Sequence, residues 1–254
     1  MKIVVTVKQV PDPNASPGLD PDNTVARERE SVLDSGDECG IEIALQLKEA
    51  AQDGEVVLCS MGPAGARDAI RKGLSMGADR GILVTDPALE GADALLTARA
   101  LAAAIEPEAP DLVITATESY DGSTGVVPPM LAELLQLPQL TFATSLSVEG
   151  GQVTVHRQMA DGHQVVQASA PALVSVTAAI AEPRYASLKG IMAARKKEVR
   201  EVAIADLGIE RGPGVEEIVS VEDAEERSAG EIVEDDGTSG VDRIVEVLVA
   251  AKVV

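Results

Sequence analysis

The chain of 254 residues carries 42 acidic against 21 basic side chains, a formal net charge of −21, and the long-range field of that balance opposes nucleic acid and anionic membrane surfaces. Its length suffices for one large α/β domain, or one domain with an appendage, burying roughly 70–75% of the surface its unfolded chain exposes. Aromatic residues are confined to Tyr120, Phe142 and Tyr185, so Val, Leu, Ile and Ala must build the core, a composition suited to buried parallel strands.

The sequence opens directly on KIVVTV without a cationic leader, and no apolar run approaches the roughly 18 residues of a membrane span. A soluble, cytoplasmic protein is expected. Cys39 and Cys59 lie in apolar surroundings with neither CxxC spacing nor a histidine cluster, and read as reduced core thiols. Residues 2–7, 55–60, 81–85 and 111–116 are short Val/Ile/Leu runs separated by helical patterns, which is β/α alternation. The first helix is expected to open at Ser35, where Ser35-Gly36-Asp37-Glu38 fits a capping box, with Ile41, Ala44, Leu45 and Ala51 as its apolar stripe. Further helices are expected at about 64–76, stopped by Gly77, and at 92–105 and 126–135. Between the first strand and the first helix, residues 9–33 are rich in Pro, Asn and Asp and too long for an ordinary βα loop.

From Thr141 the period becomes two, with Gly150-Gly151 and Asp161-Gly162 as turn signals around QVTVHRQM and QVVQAS, before ALVSVT returns as a strand. The expected fold is therefore α/β: a doubly wound, mostly parallel Rossmann-like sheet with an added β-hairpin. Residues 184–200, RYASLKGIMAARKKEVR, hold six of the 21 basic residues. Two readings stand for this island. In one, Leu188, Ile191 and Met192 pack inward while Lys189 and Arg195 to Lys197 stay in water; in the other, an apolar anchor ringed by cations docks onto another protein. Docking better explains a basic island in so acidic a chain. A short strand-like piece and a turn follow over 199–209, then an acidic, Gly-rich stretch over 211–240 reads as a linker. The final segment, VDRIVEVLVAAKVV, is amphipathic and too short to fold alone.

In a doubly wound sheet the ligand crevice opens outside the carboxyl ends of the strands where the strand order reverses, here the first and fourth strands. The fourth ends in Ala116 and continues as TESYDGSTG, offering Ser119, Asp121, Gly122, Ser123 and Thr124 just before a helix amino terminus, groups suited to a phosphate or ribose. A plain DG turn followed by a Ser/Thr cap is the bland alternative; position at the switch point favours a nucleotide. Neither GxGxxG nor GxxxxGK[ST] occurs, so the nucleotide is expected to be bound and not hydrolysed. His156 and His163 flank a turn without a third ligand, no GxSxG elbow exists, and most of the many carboxylates read as solvated surface. Arg157 and Arg184 are either surface charges or cations facing a cofactor or partner.

VTVKQVPD near the start, GADRGILV at 77–84, LPQLTFA at 137–143, EPRYASLKGIMAARKKEV at 182–199 and DLG at 206–208 together resemble the electron transfer flavoprotein beta subunit, nearly end to end. The resemblance implies a heterodimer in which an alpha subunit holds most of an FAD while the beta chain buries a structural AMP. By position, Thr6, Asp34, Ser35, Gly36, Asp37, Met61 and residues 116–127, from Ala116 through Val126 and Val127, would surround that AMP, with the amides of Gly122, Ser123 and Thr124 on its phosphate. The segment at about 182–198 would be a recognition loop whose Leu188, with Arg184, Tyr185, Lys189, Ile191 and Met192 around it, docks acyl-CoA or related flavin dehydrogenases. A membrane quinone oxidoreductase would accept the electrons. Residues 1–210 would form the nucleotide-binding domain, and 211–254 an extended carboxyl-terminal arm reaching the alpha subunit.

The chain departs from the family pattern in places. Asp34-Ser35-Gly36 stands where many members have Asn-Pro-aromatic, Val126 and Val127 stand where many have Gln or Asn, and Gln158 stands where an acid commonly follows Arg157. One branch of the family binds a second FAD in place of AMP and bifurcates electrons; DGSTG followed by two valines and Pro128 departs from the DGDTxQVG pattern of that branch, which favours AMP. A different class, a stand-alone universal-stress-like nucleotide module, predicts a homodimer with no use for the basic segment.

Overall fold

The computed structural model of the chain describes residues 1–15, 18–20, 23–26, 30–212, 214–216, 218–222, 230, 232, 233, 237 and 239–253. Parts of the irregular 9–33 stretch and of the acidic linker lie outside the described residues. Two compact units are present, Met1–Ile218 and Val219–Val254.

The first unit opens with β1 (Lys2–Thr6), then an antiparallel pair, β2 (Gln9–Pro11) with β3 (Ser31–Leu33), leading into α1 (Ser35–Ala51). Strand and helix alternate through β4 (Glu55–Met61), α2 (Arg67–Met76), β5 (Arg80–Val84), α3 (Ala94–Ile105), β6 (Leu112–Ala116) and α4 (Val127–Leu134). Four strands follow, β7 (Gln139–Glu149), β8 (Gln152–Met159), β9 (Gly162–Ser169) and β10 (Ala172–Val176), then α5 (Leu188–Ala194) and β11 (Val199–Val202). The second unit carries α6 (Ser239–Ala250).

Among the described residues nine strands form one sheet in the order β11-β5-β4-β1-β6-β10-β7-β8-β9. Every pair from β11 to the start of β7 is parallel, and β7-β8-β9 is antiparallel. The chain leaves β1 on one side through β4 and β5, then returns on the other side as β6, so the order reverses between β1 and β6 as the β/α alternation implies. Helices cover both faces. Ile3 and Val5 pack in one core with Ile41, Leu45, Ile70 and Leu74, whereas Val4 belongs to the opposite core with Leu101, Ile105 and Leu131. A strand buried on both sides has no polar face, which is why these strands read as continuous aliphatic runs. Cys39 and Cys59 are buried free thiols, as expected.

The structure corrects three local expectations. Asp34, not Ser35, caps α1: its Oδ1 accepts from the Gly36 N–H at 2.9 Å, which satisfies one of the open N–H groups of the first turn. Ala51 is exposed, because ten residues beyond Ile41 the helix has turned about 280° past full turns, off the buried stripe. The added hairpin is a three-stranded meander, since 139–149 form one long strand that changes partners part-way. At the change Phe142 takes φ 57°, its N–H donating to Ser175 Oγ at 3.0 Å while Arg157 Nε donates to the Thr141 carbonyl at 3.2 Å; the peptide between residues 141 and 142 is held from both sides. Asp34, Asp37, Glu42 and Glu108 are buried, each beside backbone amides or a cation.

Candidate functional site

Three chain segments converge at the carboxyl ends of β1 and β6. The Lys8 N–H donates to Asp37 Oδ2 at 2.7 Å, and the Asp34 N–H donates to the Lys8 carbonyl at 3.1 Å. The Tyr120 N–H donates to Asp34 Oδ2 at 2.7 Å. Asp34, 3% exposed, thus ties the first turn of α1 to the loop after β6 through its carboxylate, and both to the chain just past β1 through its N–H. Gly36 permits the approach: a Cβ there would stand 3.2 Å from Ala116 Cβ and 3.3 Å from Asp34 Oδ1. Burial pushes the Asp37 carboxyl well above its ordinary range and the Asp34 charge adds to this, while the amides of Lys8 and Ala116 and the Lys8 ammonium pull the other way.

Lys8 completes the arrangement. Its Nζ lies 2.6 Å from Asp121 Oδ1 and 3.1 Å from Ser119 Oγ, and a Cβ on Gly122 would stand 3.8 Å from it. Lys8 was not among the residues singled out from the sequence, although it lies two positions beyond Thr6 on the strand that the switch-point rule selects. Thr6 pairs in register with Cys59 on β4, and Met61 lies two residues further along that strand. Beside Ala116, the Thr115 hydroxyl is buried and has no hydrogen-bond partner among the described residues.

The loop after β6 closes on itself. Ser123, at φ 45°, donates its N–H to the Ser119 carbonyl at 2.9 Å, so of the three amides expected on a phosphate, that of Ser123 is turned into the loop's own turn. Gly122, Ser123 and Thr124 are exposed, and Val126 and Val127 lead into α4. Pro128 and Pro129 in the first turn of α4 supply no N–H, which removes two of the donors a helix amino terminus normally presents. Donors for an anion therefore come from the loop and from Lys8 more than from the helix end.

The basic segment lies along α2. Ser187 caps α5 by accepting from the Gly190 N–H at 3.0 Å, and Gly190 sits so close that a Cβ would fall 2.4 Å from the Ser75 carbonyl oxygen. Arg71 donates to the carbonyls of Ala194 and Lys197, and Lys197 Nζ donates to those of Leu74 and Ala78; each segment's open carbonyls are met by a cation from the other. Burial lowers the Lys197 pKa. Leu188 is 82% exposed, Met192 71%, Ile191 43% and Tyr185 96%, so none of the three aliphatic residues packs inward. Lys189, Arg195 and Lys196 are exposed, whereas Arg184 is engaged within the chain, with Nε 2.7 Å from Glu42 Oε2 and Nη1 2.6 Å from Glu49 Oε1. Burial opposes ionisation of Glu42, but hydrogen bonds from Arg184 and Gln46 outweigh it and hold the carboxyl below its ordinary value.

The imidazoles of His156 and His163 stack with centroids 5.0 Å apart, and among the described residues no group of three or more His, Cys, Asp or Glu is placed to hold a metal. No helix among those residues is long and apolar enough to cross a membrane.

The family model described as "Electron transfer flavoprotein domain" matches residues 22–207. The chain is 43% identical to the electron transfer flavoprotein subunit beta of Mycobacterium leprae, over 99% of both chains. It is 36% identical to the protein of that name from Megasphaera elsdenii over the full length of both, and 40% identical to that of Bradyrhizobium diazoefficiens over 92% of this chain and 94% of the relative. Matched by the family model over most of its length and by these relatives nearly from end to end, the chain belongs to the electron transfer flavoprotein family, among its beta subunits.

Proposed function

We propose that the chain is the beta subunit of a heterodimeric electron carrier: it binds AMP in the crevice between β1 and β6, helps an alpha subunit hold FAD, and docks acyl-CoA-type dehydrogenases through residues 182–198. A membrane quinone oxidoreductase then takes the electrons onward. The flavin, when bound, supplies the redox chemistry; this chain supplies position and electrostatics and makes or breaks no bond itself. The observation that carries the reading is the full-length match to relatives that all bear the beta-subunit name.

The residues present suit an adenine nucleotide. Lys8 Nζ stands beside Gly122, whose missing Cβ leaves room at the loop, and the Thr115 hydroxyl is a buried polar atom in want of a partner. Lys8 and the loop amides would hold the phosphate, while Thr6, Asp34 to Asp37, Met61 and Ala116 would line the remainder. Docking is supported by the exposure of Leu188 and Met192 among Lys189, Arg195 and Lys196: large aliphatic side chains held out in water on a fixed helix mark an interaction surface.

The test is to co-produce the chain with its alpha subunit, release the bound nucleotides with acid and identify them. One AMP and one FAD per heterodimer are expected. Two FAD would place the protein in the bifurcating branch, and a stable lone homodimer carrying ATP and no flavin would overturn the carrier reading in favour of a stand-alone nucleotide module.

A further inference from the structure

We infer that Lys8 is the residue that reads the phosphate in this crevice, and that Asp121 competes with the ligand for its ammonium, so the site discriminates a nucleoside 5′-monophosphate from the bare nucleoside through this one side chain. The inference rests on the nucleotide reading of the crevice and assigns within it a role that the sequence comparison did not place on Lys8.

The charge balance makes a cation necessary. The chain carries a net charge of −21, and the crevice gathers Asp34, Glu118 and Asp121 around the loop after β6. A phosphate dianion brought among those groups meets repulsion that screening reduces but does not remove over such short distances. Lys8 is the one basic side chain in these contacts among the described residues. Elsewhere a helix amino terminus can hold a phosphate by its open N–H groups; here Pro128 and Pro129 remove two of them and the Ser123 N–H is committed to Ser119. What the helix end lacks, the ammonium supplies together with the uncommitted loop amides.

Lys8 is also preorganised for the task. Its main chain is fixed at both ends, N–H to Asp37 Oδ2 at 2.7 Å and carbonyl from the Asp34 N–H at 3.1 Å. Its ammonium has three protons to donate; Asp121 Oδ1 at 2.6 Å and Ser119 Oγ at 3.1 Å take two, and the third has no acceptor among the described residues. Gly122, a neighbour without a side chain, lies close to the ammonium: a Cβ there would stand 3.8 Å from Nζ. A compact, point-like ammonium donates that third proton to a phosphate oxygen in this setting; a planar guanidinium with its fixed fork does not substitute for it. Asp121, with a side chain only 4% exposed, holds the ammonium in place before the ligand arrives and afterwards shares it with the phosphate, so its negative charge lowers phosphate affinity while its geometry preserves the site.

The test titrates the full-length chain, co-produced with its alpha subunit and stripped of nucleotide, with AMP and with adenosine by calorimetry. The native chain is expected to prefer AMP. Lys8→Met is expected to weaken AMP by about tenfold or more, the loss of one charge-assisted hydrogen bond, and to leave adenosine within about twofold. Asp121→Asn, which keeps an acceptor oxygen facing Lys8, is expected to tighten AMP several-fold with adenosine unchanged, and stands on its own should Lys8→Met fold poorly. An AMP-to-adenosine preference in Lys8→Met equal to the native one overturns the role of Lys8, as does a weaker AMP affinity in Asp121→Asn. A native protein that binds neither compound overturns the nucleotide reading of the crevice and the inference with it.

Discussion

Two carboxylates, Asp34 and Asp37, stand side by side out of water, and their circumstances differ. Asp34 accepts from the Gly36 and Tyr120 amides, whereas Asp37, although it accepts from Lys8 and Ala116, is held by burial well above its ordinary value of 3.8. Between that value and the raised one the folded chain keeps a proton that the unfolded chain has shed, so the folded state loses stability as pH rises through this interval and does not regain it above. Asp37→Asn has no such titration and its amide oxygen still accepts from the Lys8 N–H. Its amide group turned toward Ala116 costs a constant amount at every pH, but its melting temperature relative to the native chain is expected to rise as pH climbs above the ordinary carboxylate range, by on the order of 2–4 °C per 1 kcal/mol. A difference that stays flat over that climb, followed by thermal melting, sinks the assignment. In a chain with 42 acids no local pattern distinguishes these two from their solvated neighbours, and only the family resemblance pointed to them. Lys8 was invisible for the converse reason: one lysine after an aliphatic strand looks like an ordinary solvated end until the loop from residue 119 to 123 is folded over it.

At the scale of elements, the proposed docking role of 182–198 depends on how α5 is fastened to α2. Gly190 lies against the Ser75 carbonyl, and Arg71 and Lys197 cap each other's segments. An anchor side chain is effective only on a support that does not move, since ordering the arm at the moment of contact would subtract from affinity. Leu188→Ala is therefore expected to leave melting and flavin content unchanged while weakening docking on the order of 2 kcal/mol. Gly190→Ala is expected to weaken docking as well, with Leu188 intact, because its Cβ cannot sit 2.4 Å from a backbone oxygen and α5 must lift. The readout is flavin reduction against dehydrogenase concentration; native behaviour in both variants refutes the arm's role. The apolar periodicities located most strands and helices of the first unit to within a few residues, since burial on both faces or on one stripe writes itself into local spacing. Caps that reach across from another element, such as Lys197 onto α2, leave no such trace, which is why Lys197 read as a solvated charge. The partner change of β7 at Phe142 was equally hidden: it follows from a positive φ and two side-chain clamps, not from the alternation of residue types.

Over the whole molecule, an aliphatic core and an outward set of large side chains divide the labour. Tyr120, Phe142 and Tyr185 are 61%, 46% and 96% exposed, so the chain uses none of its three aromatic residues for core packing, although such side chains are the largest available hydrophobic groups. The sheet order was legible because β/α alternation leaves few topologies open. The role of the last residues was not, because an amphipathic segment specifies a covered face without naming what covers it. In the second unit, α6 has Val241, Ile244, Val245, Val247 and Val249 between 49% and 62% exposed, and a helix of 12 residues is marginal in water by itself. If this helix serves the alpha subunit, ending the chain after Ile218 removes the second unit and leaves the first with both its cores and its crevice. The shortened chain is expected to melt cooperatively within roughly 2–4 °C of the native one, a change of about 1 kcal/mol or less, and to keep its AMP. It is also expected to lose co-purification with the alpha subunit and the yellow colour of the complex. A shortened chain that still recovers its partner one to one, with full flavin, shows that the first unit alone carries the interface and that α6 serves another purpose.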